Sequence, residues 1–442
     1  MLSASPNPNQ GHLWCASLME QLNPAHPLLQ LARHIPWHAL EDEFAPLYAT
    51  RGKPAKPIRL MVGLSILKHL DNVSDEALMR AWETNPYYQA FCGEVIFQWK
   101  FPCDPSDMTY FRQRIGARGF EKMLAASIAI HGDKAIEPEV CIDTTVQEKN
   151  TTFPTDAKLY RKVLARTIKL ARQHRVRLSR TYAKQAHALK RDVAYATPKN
   201  KRRVIRKATR RLRIIAGRVL REFLRKCSSN LPEKDQEAIV LYQRALQQKR
   251  SDKNKVYSLH EPHIYCLAKG KEHKPYEYGV KVAITKTKDS NIILGALAFE
   301  QNQHDSKTLA RVLEQVHRLS ELAPAMALCD RGFRGVTRVG DTDILLPHHL
   351  SRSSDNHEQQ KQRERFRKRA GIEPIIGHLK ADHRMDRNFL AGVLGDQINV
   401  LMAAAAFNFR KWLREFIARI LGWLNRLDLN PLLGRPVQWT RF

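Results

Sequence analysis

Three acidic residues stand in local sequences that suit attack on a phosphodiester. Asp143 closes the apolar run of Val140-Cys-Ile-Asp-Thr-Thr, and Asp330 lies in Leu328-Cys-Asp-Arg-Gly-Phe-Arg-Gly335. Glu373 belongs to the spacing Phe366-x2-Arg369-x3-Glu373-x6-Lys380. Carboxylate oxygens are hard ligands that suit Mg2+ or Mn2+. Two such ions about 3.5 to 4 Å apart can activate an attacking oxygen and stabilise a leaving one. Arg369 and Lys380, close to Glu373, would be placed to contact phosphate oxygens. Each acid alone has a plainer explanation, since an Asp at a strand end is commonly a cap and a Glu among basic residues is commonly a surface ion pair. His304-Asp305 offers a further acid, for which a helix cap is the preferred account.

Such carboxylates need a scaffold. An apolar run ending in Asp143 predicts a strand with the acid at its terminus. Tyr278 to Thr285 alternates apolar and polar residues, and Asn291 to Phe299 follows a Lys-Asp-Ser turn, which predicts a hairpin. His304-Asp305-Ser306 then caps a helix with Leu309, Val312, Leu313, Val316 and Leu319 along one face. Pro324 to Asp330 and Asp343 to Pro347 are expected as short strands. Strand, inserted helices, strand, strand, helix, strand, strand, helix is an order compatible with an α/β fold, a ribonuclease H-like mixed sheet flanked by helices. In it Asp143 ends the first strand, Asp330 ends the fourth, and Glu373 comes from the helix that follows. Were residues 366–380 one regular helix, Phe366, Arg369, Glu373 and Lys380 would share a face. Pro374 opposes this: either the helix kinks between Gly371 and Pro374, or a new one begins with Pro374 at its first position and Glu373 as its cap.

The remaining pattern is helical. Ile58 to Leu70 has Leu60, Leu64, Leu67, Ile66 and Leu70 towards one side, and Ser74 is a natural N-cap for a helix that Asn85-Pro86 closes. A third helix is expected from Ser106 or Asp107 to near Gly116. These helices suit a helix-turn-helix DNA reader or a packing domain equally. Gln397 to Leu427 reads as a long amphipathic helix with Phe407, Trp412, Phe416, Ile420 and Trp423, for core packing or a dimer contact. The expected organisation is a helical N-terminal domain (1–130), a catalytic domain (131–150 and 255–390), a long basic helical insertion (151–254) and a C-terminal helical segment (391–442).

Charge separates the insertion from the rest. The 442 residues carry 74 Lys+Arg against 44 Asp+Glu, a net charge of +30, which points to a polyanion, nucleic acid above all. Residues 151–250 hold 29 Lys+Arg and 6 Asp+Glu, a surplus of 23. Apolar spacing predicts two long helices there, 160–190 and 201–226, with a turn near Thr197-Pro-Lys-Asn200. Lys201, Arg202, Arg203, Arg206, Lys207, Arg210 and Arg211 are the candidates for phosphate contact, the plainer alternative being a solvated basic hairpin. The seven cysteines form no Cys-x2-Cys pair, so neither a zinc ribbon nor a disulfide framework is suggested, and a reducing cytoplasm fits. His378 and His383 are spaced like half a zinc finger but have no Cys pair nearby. No phosphate-binding Gly-x4-Gly-Lys-Ser/Thr loop or secretory signal is present. The longest apolar run, Val400 to Phe407, is far short of the roughly 20 residues of a membrane span.

Several of these segments together resemble the DDE transposases of bacterial insertion sequences, specifically the insertion-sequence-5 group. They are Ile142-Asp-Thr-Thr, His273-Lys-Pro-Tyr-Glu-Tyr-Gly-Val-Lys281, Cys329-Asp-Arg-Gly-Phe-Arg-Gly335 and Gly371-Ile-Glu-Pro-Ile-Ile-Gly-His-Leu-Lys380. The stretch from Ile58-Arg-Leu-Met-Val-Gly-Leu through Ser74-Asp-Glu-Ala-Leu and Asn85-Pro-Tyr-Tyr-Gln-Ala-Phe-Cys-Gly93 to Ser106 is similar to that group's N-terminal domain, so the resemblance covers most of the chain. It implies that Asp143, Asp330 and Glu373 are a metal-binding catalytic triad for two Mg2+ or Mn2+ ions. Arg369 and Lys380 match the basic residues of the signature Tyr-x2-Arg-x3-Glu-x6-Lys, and Phe366 stands where it has Tyr. Lys274, Arg331 and Arg334 join the DNA-contact candidates. The implied activity is cleavage at an element's terminal inverted repeats and strand transfer into double-stranded target DNA. A homodimer or higher oligomer would carry it out, in the bacterial cytoplasm and associated with the nucleoid, without a membrane. The alternatives are a metal-dependent nuclease without strand transfer and a non-catalytic DNA-binding protein derived from a transposase.

Overall fold

The computed structural model of the protein describes residues 16–52, 54–227, 231–249, 251–268, 275–347 and 356–426. Its first helices are α1 (Leu18–Gln21), α2 (Pro27–His34), α3 (Trp37–Phe44), α4 (Ile58–Leu70), α5 (Asp75–Thr84), α6 (Pro86–Phe91) and α7 (Pro105–Ala129). Strand β1 (Glu139–Lys149) precedes α8 (Asp156–Gln173), α9 (Ala183–Ala194), α10 (Lys201–Lys226) and α11 (Glu233–Gln247). Then come β2 (Tyr265–Ala268), β3 (Tyr276–Thr287), β4 (Ile293–Phe299), α12 (Leu309–Ser320), β5 (Met326–Leu328), β6 (Arg338–Val339) and β7 (Thr342–Leu345). The chain continues through α13 (Asn356–Ala370), α14 (Ile372–Asp382), β8 (Arg387–Asn388) and α15 (Gly392–Arg426). It divides into two compact units, one of Met1–Gln147, Lys281–Phe299 and Gln303–Phe442, the other of Glu148–Val280 and Glu300–Asn302.

The first unit is built on an open mixed sheet. β1 pairs in parallel with β5, Glu139 opposite Met326 and Cys141 opposite Leu328; β5 pairs in parallel with β7, and β7 antiparallel with β6. On its other side β1 neighbours β3, which carries β4 antiparallel. Val140, Cys141 and Ile142 are all fully buried, as befits a central strand covered on both faces. Helices supply the cover: α12 packs on β4 with Val312, Leu313 and Val316 buried and Val316 close to Gly295, and α15 packs on α7, α4 and β4 with residues 400–407 all buried. The helices preceding and following the sheet in sequence therefore share one unit with it.

Two expectations for these helices change. α4 is buried on every side rather than along one stripe, including Lys68 and His69. Lys68 can be buried because its Nζ lies 2.7 Å from Asp75, which also accepts a bidentate pair from Arg112 at 2.6 and 3.0 Å. α7 starts one residue earlier than expected and runs far past Gly116. Asp104 accepts from the Ser106 N–H, Asp107 reaches back to the Asp104 N–H, and Gly116 absorbs the kink with φ +60°, a left-handed value open to glycine, before the helix resumes.

The second unit has its own core. Leu159, Val163, Leu212, Ala216, Val219, Phe223 and Tyr242 interdigitate between α8, α10 and α11, which a bare solvated hairpin would not provide. The helix expected over 160–190 is two helices: α8 ends at Gln173, Arg175 and Tyr182 take positive φ, and α9 begins at Ala183. No Gly or Pro marks the break. Tertiary bonds hold it, His174 to Asp235 at 2.7 Å and the Ser179 N–H to Glu222 at 2.7 Å. Here β2, absent from the expected pattern, pairs antiparallel with the start of β3.

Candidate active site

Parallel pairing brings the two aspartates together. With Cys141 opposite Leu328, residues 143 and 330 each lie two steps further along adjacent strands running the same way. Asp143 does not end β1, which continues to Lys149; its Oδ1 accepts from the Thr144 N–H at 2.8 Å. Asp330 does stand just beyond β5, which β2 makes the fifth strand rather than the fourth, and its Oδ1 caps the following turn through the Gly332 N–H at 2.8 Å.

The third acid arrives on a pinned helix pair. Arg365 on α13 forks onto Glu139 of β1 at 2.5 and 3.2 Å, Lys288 pairs with the same carboxylate at 3.1 Å, and Lys368 pairs with Asp289 at 3.2 Å. Burial acts to raise the Glu139 carboxyl, but Arg365 and Lys288 outweigh it and hold it below its ordinary range. One turn further on, Arg369 turns its guanidinium to all three acids, 2.9 Å from Asp143, 3.7 Å from Asp330 and 3.8 Å from Glu373. α13 stops at Ala370, Gly371 makes the join, and α14 starts at Ile372, so Glu373 is its second residue and Pro374 its third. The helix breaks at Gly371, at the start of the segment where a kink was expected, whereas the arrangement with Pro374 first and Glu373 as cap is not realised. At the third position the missing proline N–H breaks no intrahelical bond, so Pro374 is not what forces the break.

Exposure grades the site. Asp143 and Arg369 side chains are each 13% exposed, Asp330 is 42% and Glu373 is 70%. Burial pushes the Asp143 carboxyl up to about 6; Arg369 opposes the rise, while Asp330 and Glu373 add to it. Among the described residues no three His, Cys, Asp or Glu side chains form a ready cation site. The point that the acids share is held by the guanidinium. In donor type they suit Mg2+ or Mn2+, and their convergence on one cationic group shows that they can face a common positive centre.

Asp305 belongs to this neighbourhood and is not the cap it was expected to be. The cap is His304, whose Nδ1 accepts from the Ser306 N–H. Asp305 Oδ1 instead accepts from Thr144 Oγ1 at 3.0 Å and from Lys281 Nζ at 2.8 Å, and Lys281 also reaches the Gln303 carbonyl at 2.7 Å. Between Asp305 and Asp330 lies Gly332: a Cβ there would stand 2.9 Å from Asp330 Oδ1 and 3.1 Å from Asp305 Oδ2. Sequence reasoning also missed Glu139 and Arg365. Lys281, as the last residue of a motif already singled out, was the available signal.

The other candidates are dispersed. Arg331 and Arg334 are exposed on the turn after Asp330, with Arg331 Nε donating to the Pro347 carbonyl. Phe366 is half-buried on α13, and Lys380 lies in the last turn of α14. In the second unit Lys201, Arg202, Arg203, Arg206, Lys207 and Arg210 are exposed along α10, whereas Arg211 is half-buried and donates to Gln185. Lys274 lies outside the described residues. His378 pairs with Asp382, and buried His383 bonds the His69 carbonyl, so both histidines have structural partners. The six cysteines among the described residues are free, and no described helix is long and apolar enough to cross a membrane.

Two aspartates on neighbouring parallel strands, joined by a glutamate from a following helix, define an α/β protein with a three-carboxylate centre. Residues 16–114 match the family described as Transposase domain (DUF772), and residues 248–409 match Transposase DDE domain. A Rhizobium meliloti protein described as "Uncharacterized protein ORF8 in nfe locus" is 39% identical over 204 residues, 44% of this chain and 99% of that protein. No solved structure matches. The chain belongs to the DDE transposases of insertion-sequence type. Asp330 and Glu373 fall within the matched residues. Asp143 lies between the two matches, and its place beside them rests on the strand register.

Proposed function

We propose that the chain is the transposase of an insertion sequence of the insertion-sequence-5 group, with a ribonuclease H-like catalytic fold. It would bind the element's terminal inverted repeats in double-stranded DNA, cut there and join the freed end to target DNA. The observation that carries this is the convergence of Asp143, Asp330 and Glu373 within 4 Å of one guanidinium, on adjacent parallel strands and the helix behind them. Two Mg2+ or Mn2+ ions, when bound, supply the charge that activates the attacking oxygen and stabilises the leaving one. The three acids are the residues to hold them. Arg369 and Lys380 are proposed as phosphate contacts within the site, with Arg331 and Arg334 beside Asp330. The exposed row from Lys201 to Arg210, and Lys274, are proposed as contacts to the DNA backbone.

The bond changes balance without a further cofactor. Water adds to phosphorus and the O3′ leaves as a free 3′-hydroxyl; that hydroxyl then attacks a target phosphodiester, making one P–O bond as another breaks. A homodimer or higher oligomer, acting in the bacterial cytoplasm on nucleoid DNA, would hold both element ends. With magnesium and an oligonucleotide carrying an element end, nicks should appear first and joined products later. Cleavage without joining would favour a plain nuclease, and an Asp330→Asn chain that still cuts would remove Asp330 from the triad.

A further inference from the structure

We propose that Arg369 is a displaceable counter-ion. Its guanidinium lies among the three acids, and a divalent cation would compete with it for the same oxygens, so the arginine must leave them as the cation binds. This rests on the reading of those acids as metal ligands. The contrast with Arg365, one helical turn earlier, carries the inference. Arg365 is locked, forked onto Glu139 at 2.5 and 3.2 Å. Arg112, in the α4–α5–α7 cluster, is locked likewise onto Asp75 at 2.6 and 3.0 Å. Among the described residues Arg369 makes one hydrogen bond, 2.9 Å to Asp143, while Asp330 and Glu373 stand at 3.7 and 3.8 Å, within reach of charge but not of bonding.

Its Nε is buried and has no hydrogen-bond partner among the described residues. A structural arginine seldom leaves a fork half used, because a buried donor without an acceptor is costly. Arg369 is thus held by the summed charge of three carboxylates, two of them substantially exposed and open to solvent. A dication among the same oxygens would both take those carboxylates and repel the guanidinium. Arg369 would then be released to a second anionic partner, as phosphate is. Cation loading and the phosphate contact would become two positions of one side chain.

Mn2+ binding to the full-length protein without DNA tests this, by titration calorimetry and by the electron paramagnetic resonance of free Mn2+. Arg369→Gln should bind Mn2+ roughly tenfold or more tightly than the parent. Arg369→Lys, which keeps the charge but cannot span three acids, should fall between, and Asp330→Asn should bind more weakly than the parent. In the unmutated chain, saturating Mn2+ should speed modification of Arg369 by phenylglyoxal, read by peptide mass spectrometry, while Arg365 stays protected; this arm does not depend on any variant folding. If Arg369→Gln binds equally or more weakly while Asp330→Asn still weakens binding, or if Mn2+ leaves Arg369 modification unchanged, the competition is refuted and the metal site stands. If parent, Arg369→Gln and Asp330→Asn bind alike, the acids are not the ligands and both readings fall.

Discussion

Replacing Asp305 with Ala should impair cleavage more than it impairs folding. The carboxylate ties three segments: Thr144, next to Asp143, donates at 3.0 Å, Lys281 on β3 donates at 2.8 Å, and Asp305 Oδ2 lies against Gly332, two residues past Asp330. Removing it deprives a hydroxyl and an ammonium of their shared acceptor. Lys281, only 11% exposed, keeps the Gln303 carbonyl but loses the Asp305 carboxylate. Bonds to a charged acceptor contribute about 1.5 to 3 kcal/mol each in buried settings. With Asp305 25% exposed and one Lys281 bond retained, the loss should come to about 2 to 3 kcal/mol. Asp305→Asn keeps an acceptor for Thr144 and loses only the charge, so about 1 kcal/mol is expected.

The catalytic consequence is larger because geometry enters the rate steeply. A displacement of about 1 Å at a reacting group can cost about a hundredfold. Single-turnover nicking of an element-end oligonucleotide, well below the melting temperature, should therefore rank parent, Asp305→Asn and Asp305→Ala, with the last slower by about two orders of magnitude. A Lys281→Met partner variant supplies the control, since the double variant should lose less than the two singles combined. An Asp305→Ala chain that melts lower but nicks within twofold of the parent would show that the carboxylate serves stability alone.

Gly332→Ala tests the same wall from the other side. Its Cβ would meet Asp330 and Asp305 at 2.9 and 3.1 Å, so cleavage should drop at least tenfold with little loss of melting temperature, and an unaffected nicking rate would contradict the crowding. Changing Arg202, Arg203, Arg206 and Lys207 to Gln should flatten the dependence of log affinity on log salt by about 0.9 for each phosphate no longer neutralised, up to about 3.6 in all. An unchanged slope returns the α10 row to a solvated face. In the cluster of α4, α5 and α7, burial acts to raise the Asp75 carboxyl, yet Arg112 and Lys68 outweigh it and hold it at about 2, against an ordinary 3.8. A depressed acid stabilises fully above its unfolded pKa, so about 2 kcal/mol should be present above pH 4 and fade as pH falls towards 2. Melting temperatures across that range should be less pH-dependent in Asp75→Asn, and an identical acid limb would count against the assignment.

How much of this was legible depended on whether the signal was local. The apolar runs before Asp143 and Asp330 located both strands, because a buried run closing on an acid has few local alternatives. The end of β1 was not legible. Gln147 looks like the start of a polar exit but is buried, donating to the Asp396 carbonyl and accepting from Asn399, partners some 250 positions away. The break between α8 and α9 was equally silent, being imposed by Asp235 and Glu222 rather than by any helix-breaking residue. Asp305 failed for a sharper reason. Its local sequence fits a cap, and the neighbouring His304 takes that role, while Thr144 and Lys281 come from other strands.

The join at Gly371 shows what spacing alone could and could not carry. Glu373 stands four positions after Arg369, which in one unbroken helix would put both on one face; the pair does meet, at 3.8 Å, although the helix is interrupted between them. The two sides have different references. α13 is fixed to β1 through Arg365 and Glu139, so Arg369 inherits its position from the strand that carries Asp143. α14 is fixed by buried Ile372, Ile375, Ile376 and Leu379, so Glu373 inherits its position from the apolar core. A continuous helix would make the third acid move with the arginine. The interruption gives them separate anchors, so the proposed departure of Arg369 need not carry Glu373 with it.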